Sequence, residues 1–245
     1  MQALKKSKTT LKNKKNPTKT DTYHHGDLKK TLIEAAVRML QKKTPAEISL
    51  RELAREAGVS QAAPYRHFKD KDTLLAAISQ EGFELKFQYM KQAMDTYKDQ
   101  PLEMFFQCGL SYFRMGLLHP QHFKLMFSAN VKPGPEYPDL AQSAAKSFML
   151  LRDMVKICQQ AGVLGPGDPY HKAMHCWCVV NGFAALYADG RLAWLGVDPT
   201  NAEQALRTLN SQYLLGAHRD MKASEFDFAL FQNEYSMLYK KMMES

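Results

Sequence analysis

The chain is poor in cysteine and has no long apolar run. Four cysteines in 245 residues are too few and too scattered for the disulfide framework of a small secreted protein, so we expect reduced thiols. No apolar run approaches the roughly 20 residues that a membrane span needs. Residues 1–20 also lack the apolar segment and small-residue cleavage site of a secretory signal. These absences predict a cytoplasmic protein without a membrane-spanning part.

Positive charge is concentrated at the start of the chain. The net charge of +8 arises from 33 basic and 25 acidic residues, and residues 1–20 hold seven lysines and no acid. Clustered lysines strengthen binding to a polyanion without reading its sequence. A segment with so few large apolar residues also fits a disordered tail that only aids solubility. We expect a disordered basic tail over residues 1–22, and both interpretations of its charge stay open.

Helical periodicity dominates the rest of the sequence. Apolar residues recur at three- and four-residue steps from Asp27 to a break before Pro45. A long helix capped by Asp70 follows a short-helix region and would join two domains. No stretch indicates a strand, so we predict an all-α fold. Further helices are predicted at about 102–118, 120–129, 139–161, 169–194, 200–217 and 224–242.

Two short helices joined by a tight turn are predicted between residues 49 and 68. Ser49 can cap the first of them, with Glu52 three residues later as in a capping box. Gly58 supplies the left-handed conformation that ends this helix. Ser60 then caps a third helix over about residues 61–67, with Pro64 in its first turn, where the lost amide donor costs least. This pattern is typical of a helix-turn-helix.

The third helix carries side chains suited to DNA. The amide of Gln61 can bond adenine and the guanidinium of Arg66 can bond guanine, while alanine methyl groups can pack on thymine. Tyrosine, histidine, lysine and a capped helix start suit phosphate oxygens, which position the protein rather than read sequence. Short helix pairs also occur in enzymes, which leaves a purely structural interpretation open. The predicted DNA-binding residues are Ser49, Ser60, Gln61, Ala62, Ala63, Tyr65, Arg66, His67 and Lys71.

Residues 48–75, which read ISLRELAREAGVSQAAPYRHFKDKDTLL, resemble the tetracycline-repressor (TetR) family. Tyr65, His67, Phe68, Lys71 and Leu74 match the family's Tyr-x-His-Phe-x-x-Lys-x-x-Leu ending. The resemblance implies that the third helix reads the major groove and that the tyrosine, histidine and lysine of this motif grip phosphates. It also implies that two subunits cover a near-palindromic double-stranded operator, with repression as the family default and activation as an alternative.

The C-terminal part resembles the subgroup with a Trp-His-Gly signature. Trp177, Asn181 and Gly182 match it within the segment WCVVNGFAAL. Asn181 replaces the signature histidine with a shorter, neutral amide, so a role that needs imidazole protonation is in doubt. In the family the last two helices form a four-helix dimer interface, which here falls on residues 169–194 and 200–217. The resemblance thus implies a homodimer.

Aromatic and methionine side chains are frequent in the middle helices. The resemblance implies a cavity for an unidentified small-molecule ligand among them. Core packing without any ligand explains most of the same residues. The sequence names no ligand and predicts no cofactor. The predicted ligand-binding residues are Phe106, Phe113, Phe123, Met126, Phe127, Trp177 and Asn181.

Three alternatives carry weaker signals. His171, His175 and Cys178 could share a helix face and bind a soft metal, but no fourth ligand is evident and we predict no metal site. The sequence holds no phosphate-binding glycine loop, nucleophile elbow or shared carboxylate pair, so we predict that the chain is not an enzyme. The lysine-rich tail alone would suit a non-sequence-specific DNA-binding protein, against which Gln61 and Arg66 argue.

The sequence therefore predicts a ligand-responsive transcription regulator in three parts. A basic tail occupies residues 1–22 and a three-helix, helix-turn-helix DNA-binding domain occupies residues 23–72. A larger helical regulatory and dimerisation domain occupies residues 73–245.

Overall fold

The computed structural model describes residues 25–129 and 131–217. The predicted basic tail and the predicted helix at 224–242 lie outside these residues. The described chain is helical, and its only β-type pairing is an isolated bridge between Gly134 and Tyr137. Three short 3-10 helices lie at Pro45–Glu47, Pro64–Arg66 and Ala193–Leu195. The α-helices are α1 (His25–Leu40), α2 (Leu50–Glu56), α3 (Lys71–Thr96), α4 (Pro101–Leu118), α5 (Pro120–Met126), α6 (Pro138–Gln160), α7 (Pro169–Ala188) and α8 (Ala202–Ala217).

Helix α2 begins and ends at the residues that the sequence predicts. The Ser49 hydroxyl oxygen accepts a hydrogen bond from the Glu52 amide at 3.2 Å, and Gly58 ends the turn at a φ of +68°. The capping box, however, lies elsewhere. The carboxylate of Glu52 pairs with Lys43, whereas Thr44 and Glu47 exchange the reciprocal bonds of a box. Residues 44–47 therefore form an additional 3-10 turn between α1 and α2.

The third short helix differs from its prediction. Residues 61–63 form a turn, and Pro64–Arg66 form a 3-10 helix. Pro64 has no amide hydrogen to donate to the Ser60 carbonyl, so that carbonyl accepts from the Ala63 amide at 3.0 Å. The Arg66 amide then bonds the Ala63 carbonyl at 3.2 Å. The prediction of an α-helix over 61–67 is wrong because the proline favours tighter bonding.

Two more helix ends also differ from prediction. Helix α5 ends at Met126, not near residue 129, and α7 ends at Ala188, not at 194. Gly190, at a φ of +68°, reverses the chain after α7 and the 3-10 helix at Ala193–Leu195 follows. The region between α7 and α8 is thus a loop rather than a continuation of the helix.

Helix α3 connects the helix-turn-helix to the rest of the fold. Asp70 caps it by accepting the Thr73 amide at 2.8 Å, and the helix then packs against α4, α5 and α6. Its 26 residues extend for roughly 39 Å. Buried apolar residues from α1, α2 and α3 join those of α4, α5 and α7 in one core cluster. A single helix therefore shares a core with both α1 and α2 and the larger helical body.

Charged pairs attach α8 to α4. The two terminal guanidinium nitrogens of Arg207, Nη1 and Nη2, donate to the Glu103 carboxylate at 3.0 and 2.7 Å. The same guanidinium lies 4.1 Å from the centre of the Phe106 ring. These bonds lower the pKa of Glu103 to about 2. No helix among the described residues is long and apolar enough to cross a membrane.

Candidate functional site

The helix-turn-helix exposes most of the side chains that the sequence assigns to DNA. Gln61, Ala62, Tyr65 and Arg66 are exposed, with Tyr65 at 51%. Ala63 departs from its predicted role in DNA contact, because it is only 8% exposed and packs inward beside the buried Pro64. The 3-10 geometry turns residue 63 towards the core. Of the two alanine methyl groups, only that of Ala62 is available to a base in this conformation.

The predicted phosphate-contacting residues surround this surface. Ser49 and Ser60 are exposed, and His67 is half-buried with its ring 6.4 Å from that of Phe68. The Lys71 ammonium donates to the backbone carbonyl of Ala46 at 3.2 Å. Lys71 thereby ties the start of α3 to the turn before α2, a structural role that the sequence does not reveal.

Further exposed cations adjoin this surface. Arg51 and Arg55 project from α2, and Lys69 follows the 3-10 helix. Sequence reasoning missed them, although the two arginines occupy polar positions between the buried residues of α2, which is a readable signal. Together with Arg66 they make four exposed cations within residues 51–69.

The predicted ligand residues separate into two groups. Met126, Phe127 and Trp177 line one cavity of about 400 Å³. The other four lie in the surrounding core or at its edge. Phe106 faces Arg207, and Phe113 packs on Phe183 and Tyr187. Phe123 packs on Tyr112, whose hydroxyl donates to Asn181 at 2.8 Å.

Asn181 links two helices rather than lining the cavity. Its amide oxygen accepts the hydroxyl proton of Tyr112, so α7 and α4 are joined by a partly buried hydrogen bond. Burial raises the pKa of Tyr112, which keeps the phenol protonated and able to donate. The asparagine that departs from the signature histidine thus has a structural partner on α4.

A buried lysine borders the cavity, and sequence reasoning missed it. Lys86 is 2% exposed, and its Nζ lies 5.0 Å from the Tyr112 ring centre and 5.5 Å from that of Trp177. Burial lowers the pKa of Lys86 to about 8. A readable signal exists, because Lys86 follows Phe83 by three residues and precedes Met90 by four on the apolar face of α3.

Lys86 and Trp177 also border a second, smaller space. It measures about 20 Å³ and is otherwise lined by apolar groups, thiols, Tyr112 and the amide of Asn210. Among the described residues, no acidic side chain lines either space. The wall of the larger cavity consists of Phe83, Lys86, Met126, Phe127, Pro133, Ala144, Ala145, Phe148, Met149, Tyr170, Met174 and Trp177.

The metal alternative gains no support from the geometry. The His175 ring stacks on Tyr213 at 4.1 Å, and His171 Nδ1 lies 3.0 Å from an Asp168 oxygen. Within residues 25–129 and 131–217, no three histidine, cysteine or acidic side chains are placed to hold a metal ion. Burial raises the pKa of the Cys158 and Cys176 thiols to about 12, which disfavours the thiolate form.

Two segments of the chain match models of known protein families. Residues 32–78 match the family described as "Bacterial regulatory proteins, tetR family". Residues 105–209 match "Tetracyclin repressor-like, C-terminal domain". The two matches together cover more than half of the chain. Membership of the Trp-His-Gly subgroup stays a prediction.

Solved structures share the fold. A protein of unknown function from Rhodococcus sp. RHA1 is 29% identical with a TM-score of 0.70, over 81% of this chain and 100% of that one. The TetR family regulator PfmR from Thermus thermophilus is 20% identical with a TM-score of 0.60, over 77% of this chain and 99% of that one.

AibR, solved in complex with isovaleryl coenzyme A and operator DNA, is 19% identical with a TM-score of 0.51, over 68% of this chain and 97% of that one. The chain has a capped helix-turn-helix in its N-terminal part and a larger helical region after it, and a family model matches each of them. It therefore belongs to the TetR family of DNA-binding transcription regulators.

Proposed function

We propose that this protein is a ligand-responsive regulator that binds a near-palindromic operator as a homodimer and represses transcription. The observation that carries the proposal is the exposure of Gln61 and Arg66 after α2, in a helix-turn-helix that also exposes Arg51 and Arg55. An amide and a guanidinium give different hydrogen-bonding partners for adenine and guanine. The surrounding cations supply the phosphate contacts that fix the register.

A dimer would bury apolar residues that are exposed on α7 and α8. Leu186 on α7 and Leu209 on α8 are exposed, and the adjoining loop exposes Trp194 at 81% and Leu195. A two-fold axis would place the same residues of a second copy against them. Two subunits would then read half-sites about one DNA turn, or roughly 34 Å, apart.

Helix α3 provides the coupling between cavity and DNA surface. Lys71 at its start bonds Ala46 beside α2, and Phe83 and Lys86 on the same helix line the cavity. Lys71 and Lys86 are separated by roughly 22 Å along the helix. A ligand that prefers one position of α3 would shift the readout surface and change operator affinity by its differential binding to the two states.

The structure of AibR with both operator DNA and isovaleryl coenzyme A supports this arrangement, since the same fold there holds a small molecule and a duplex. Repression follows the family default, and no catalytic step is assigned.

The first test is selection of genomic DNA fragments by the purified full chain, followed by titration of the enriched site. We expect one near-palindromic sequence. Gln61→Ala and Arg66→Ala should each relax base preference and cost about 1–3 kcal/mol of binding free energy. Lys71→Ala should weaken all sequences alike and lower the salt slope by about one.

Arg152→Ala is the matched control, because Arg152 is a partly exposed arginine on α6, outside both the readout surface and the proposed dimer surface. It should leave both affinity and base preference unchanged. If no sequence is enriched and binding is uniformly salt-sensitive, the regulator proposal fails and the lysine-rich segment becomes the main DNA-binding element.

A further inference from the structure

Lys86 is a buried ammonium without a counter-ion in the described part of the chain. It is 2% exposed, and burial is the cause of the lowering of its pKa. None of the described residues that line the two spaces it borders is acidic. Its contacts are instead the faces of Tyr112 and Trp177 at 5.0 and 5.5 Å. Two aromatic faces offset only part of the cost of removing an ammonium group from water.

Core packing gives no reason for a charge at this position. An unbranched apolar side chain such as methionine would fill a similar volume on α3 without the desolvation cost. An uncompensated charge at the wall of a cavity is instead what a binding site for the opposite charge requires. The ligand would then supply the negative charge that pairs with Lys86.

Trp177 places a polar donor at the same wall. Its indole nitrogen is buried and lies beside the Tyr112 hydroxyl, whose pKa a side-chain hydrogen bond from this indole lowers against the larger effect of burial. The Tyr112 hydroxyl directs its own proton to Asn181, which leaves the phenol oxygen able to accept from the indole. Lys86 and Trp177 thus share a wall, and of the two only Lys86 has no polar partner among the described residues.

The rest of the cavity is lined by apolar side chains and by Tyr170. Six of its twelve lining residues are phenylalanine or methionine, and its volume of about 400 Å³ falls within the roughly 300–1,000 Å³ of small-molecule sites. We propose that it binds an amphiphilic monocarboxylate, with the carboxylate paired to Lys86 and the hydrocarbon body among the phenylalanine and methionine side chains.

A single negative charge matches the single cation among the described residues of the cavity wall. A phosphate monoester would bring a second charge into these apolar surroundings, where Lys86 can compensate only one. A neutral ligand would leave the ammonium uncompensated. The inference rests on the proposed function, because it names the class of ligand that this regulator would sense.

The test is calorimetric titration of the full chain with matched pairs of probes that differ only in the head group. The pairs are decanoate and decan-1-ol, 4-phenylbutanoate and 4-phenylbutan-1-ol, and 2-naphthoate and 2-naphthylmethanol. At least one carboxylate should bind about tenfold or more tightly than its alcohol, since a charge-assisted bond has no counterpart in the alcohol. Quenching of Trp177 fluorescence should follow the same order in a Trp194→Phe background.

The matched variants are Lys86→Met and Lys91→Met, both on α3. Lys91 is exposed and pairs with Asp95 on the surface. Lys86→Met should lose the preference for the carboxylate while still binding the alcohol, and Lys91→Met should behave like the parent chain. Should Lys86→Met fail to fold, the head-group comparison in the parent chain still decides the question.

Three results would overturn the proposal. The first is equal affinity for every carboxylate and its alcohol, and the second is an undiminished carboxylate preference in Lys86→Met. The third is a covalent decanal adduct, trapped by borohydride, that intact mass shows in the parent chain and not in Lys86→Met, without carboxylate binding, which would assign the lysine to carbonyl capture instead. Because these titrations contain no DNA, they are independent of operator selection, whose failure would remove the proposed function alone.

Discussion

At the scale of single residues, the unusual feature is a lysine among aromatic rings. Burial removes the Lys86 ammonium from water and so lowers its pKa relative to the unfolded chain. Folding with this lysine buried therefore costs free energy, whether the amine stays charged or becomes neutral. That cost is a stability effect as well as a binding one. It can be measured without knowing the ligand.

Replacing Lys86 by methionine should stabilise the folded protein at pH 7. The pKa of the ammonium falls from 10.5 in the unfolded chain to about 8 in the fold. Between these values the unfolded state binds more protons, so stability rises with pH from about 8 to 10.5 and the full cost is present below pH 8. We expect Lys86→Met to gain roughly 2–4 kcal/mol at about pH 7, and less at about pH 10.

Urea unfolding of both chains at about pH 7 and about pH 10 checks this expectation. The difference between the chains is the relevant quantity, because other lysines, tyrosines and thiols titrate alike in both. A Lys86→Met protein that is less stable than the parent near neutral pH would show that the ammonium has a partner that stabilises it.

At the scale of elements, features set by neighbouring residues could be predicted from the sequence, whereas features set by tertiary packing could not. Ser49 and Gly58 were placed correctly because capping and left-handed turns depend on a few neighbouring residues. The third helix was misjudged because Pro64 selects 3-10 bonding only once the residues before it adopt a turn. Glu52 was assigned to a capping box, but Lys43, nine residues earlier, takes its carboxylate.

The residues that line the cavity could be predicted only in part, because they too depend on tertiary packing. Phe113 and Phe127 look alike in sequence, since both are aromatic residues of apolar helical faces. Whether such a ring packs in the core or lines a space depends on how α4, α5 and α7 meet, which no local pattern contains. Lys86 was overlooked because its burial likewise follows from that packing.

The turn after α2 offers an element-scale prediction. Gly58 has a φ of +68° and no atom within 4 Å of an added Cβ, so only backbone conformation opposes a side chain there. Gly58→Ala should destabilise the protein by about 1–2 kcal/mol. It should also weaken operator binding, because this turn sets the direction of residues 61–66. Urea unfolding and operator titration of the variant measure the two effects.

Gly134→Ala is the matched control, since Gly134 also has open space for a Cβ but no positive φ. We expect it to be neutral or slightly stabilising in the same urea titration. Equal effects of the two substitutions would mean that the left-handed turn is not what Gly58 provides.

At the scale of the whole molecule, affinity for DNA should depend on assembly. One short readout segment contacts few base pairs, and a second copy makes the next contact effectively intramolecular. The exposed apolar side chains of α7, α8 and the loop between them form the surface that the proposed dimer would bury. Glu103 and Arg207 hold α8 against α4 and so fix its placement.

Charged substitutions on that surface should therefore separate folding from operator binding. We expect Leu186→Asp combined with Leu209→Asp to give a folded monomer in analytical ultracentrifugation, because buried carboxylates would face their copies across the two-fold axis. Operator affinity should fall by about 100-fold or more as the half-sites bind separately. Leu102→Asp, at an exposed leucine on the first turn of α4, should change neither property. A Leu186→Asp/Leu209→Asp protein that remains dimeric would place the interface on another face, and the spacing of the operator half-sites would then have to be explained from that face.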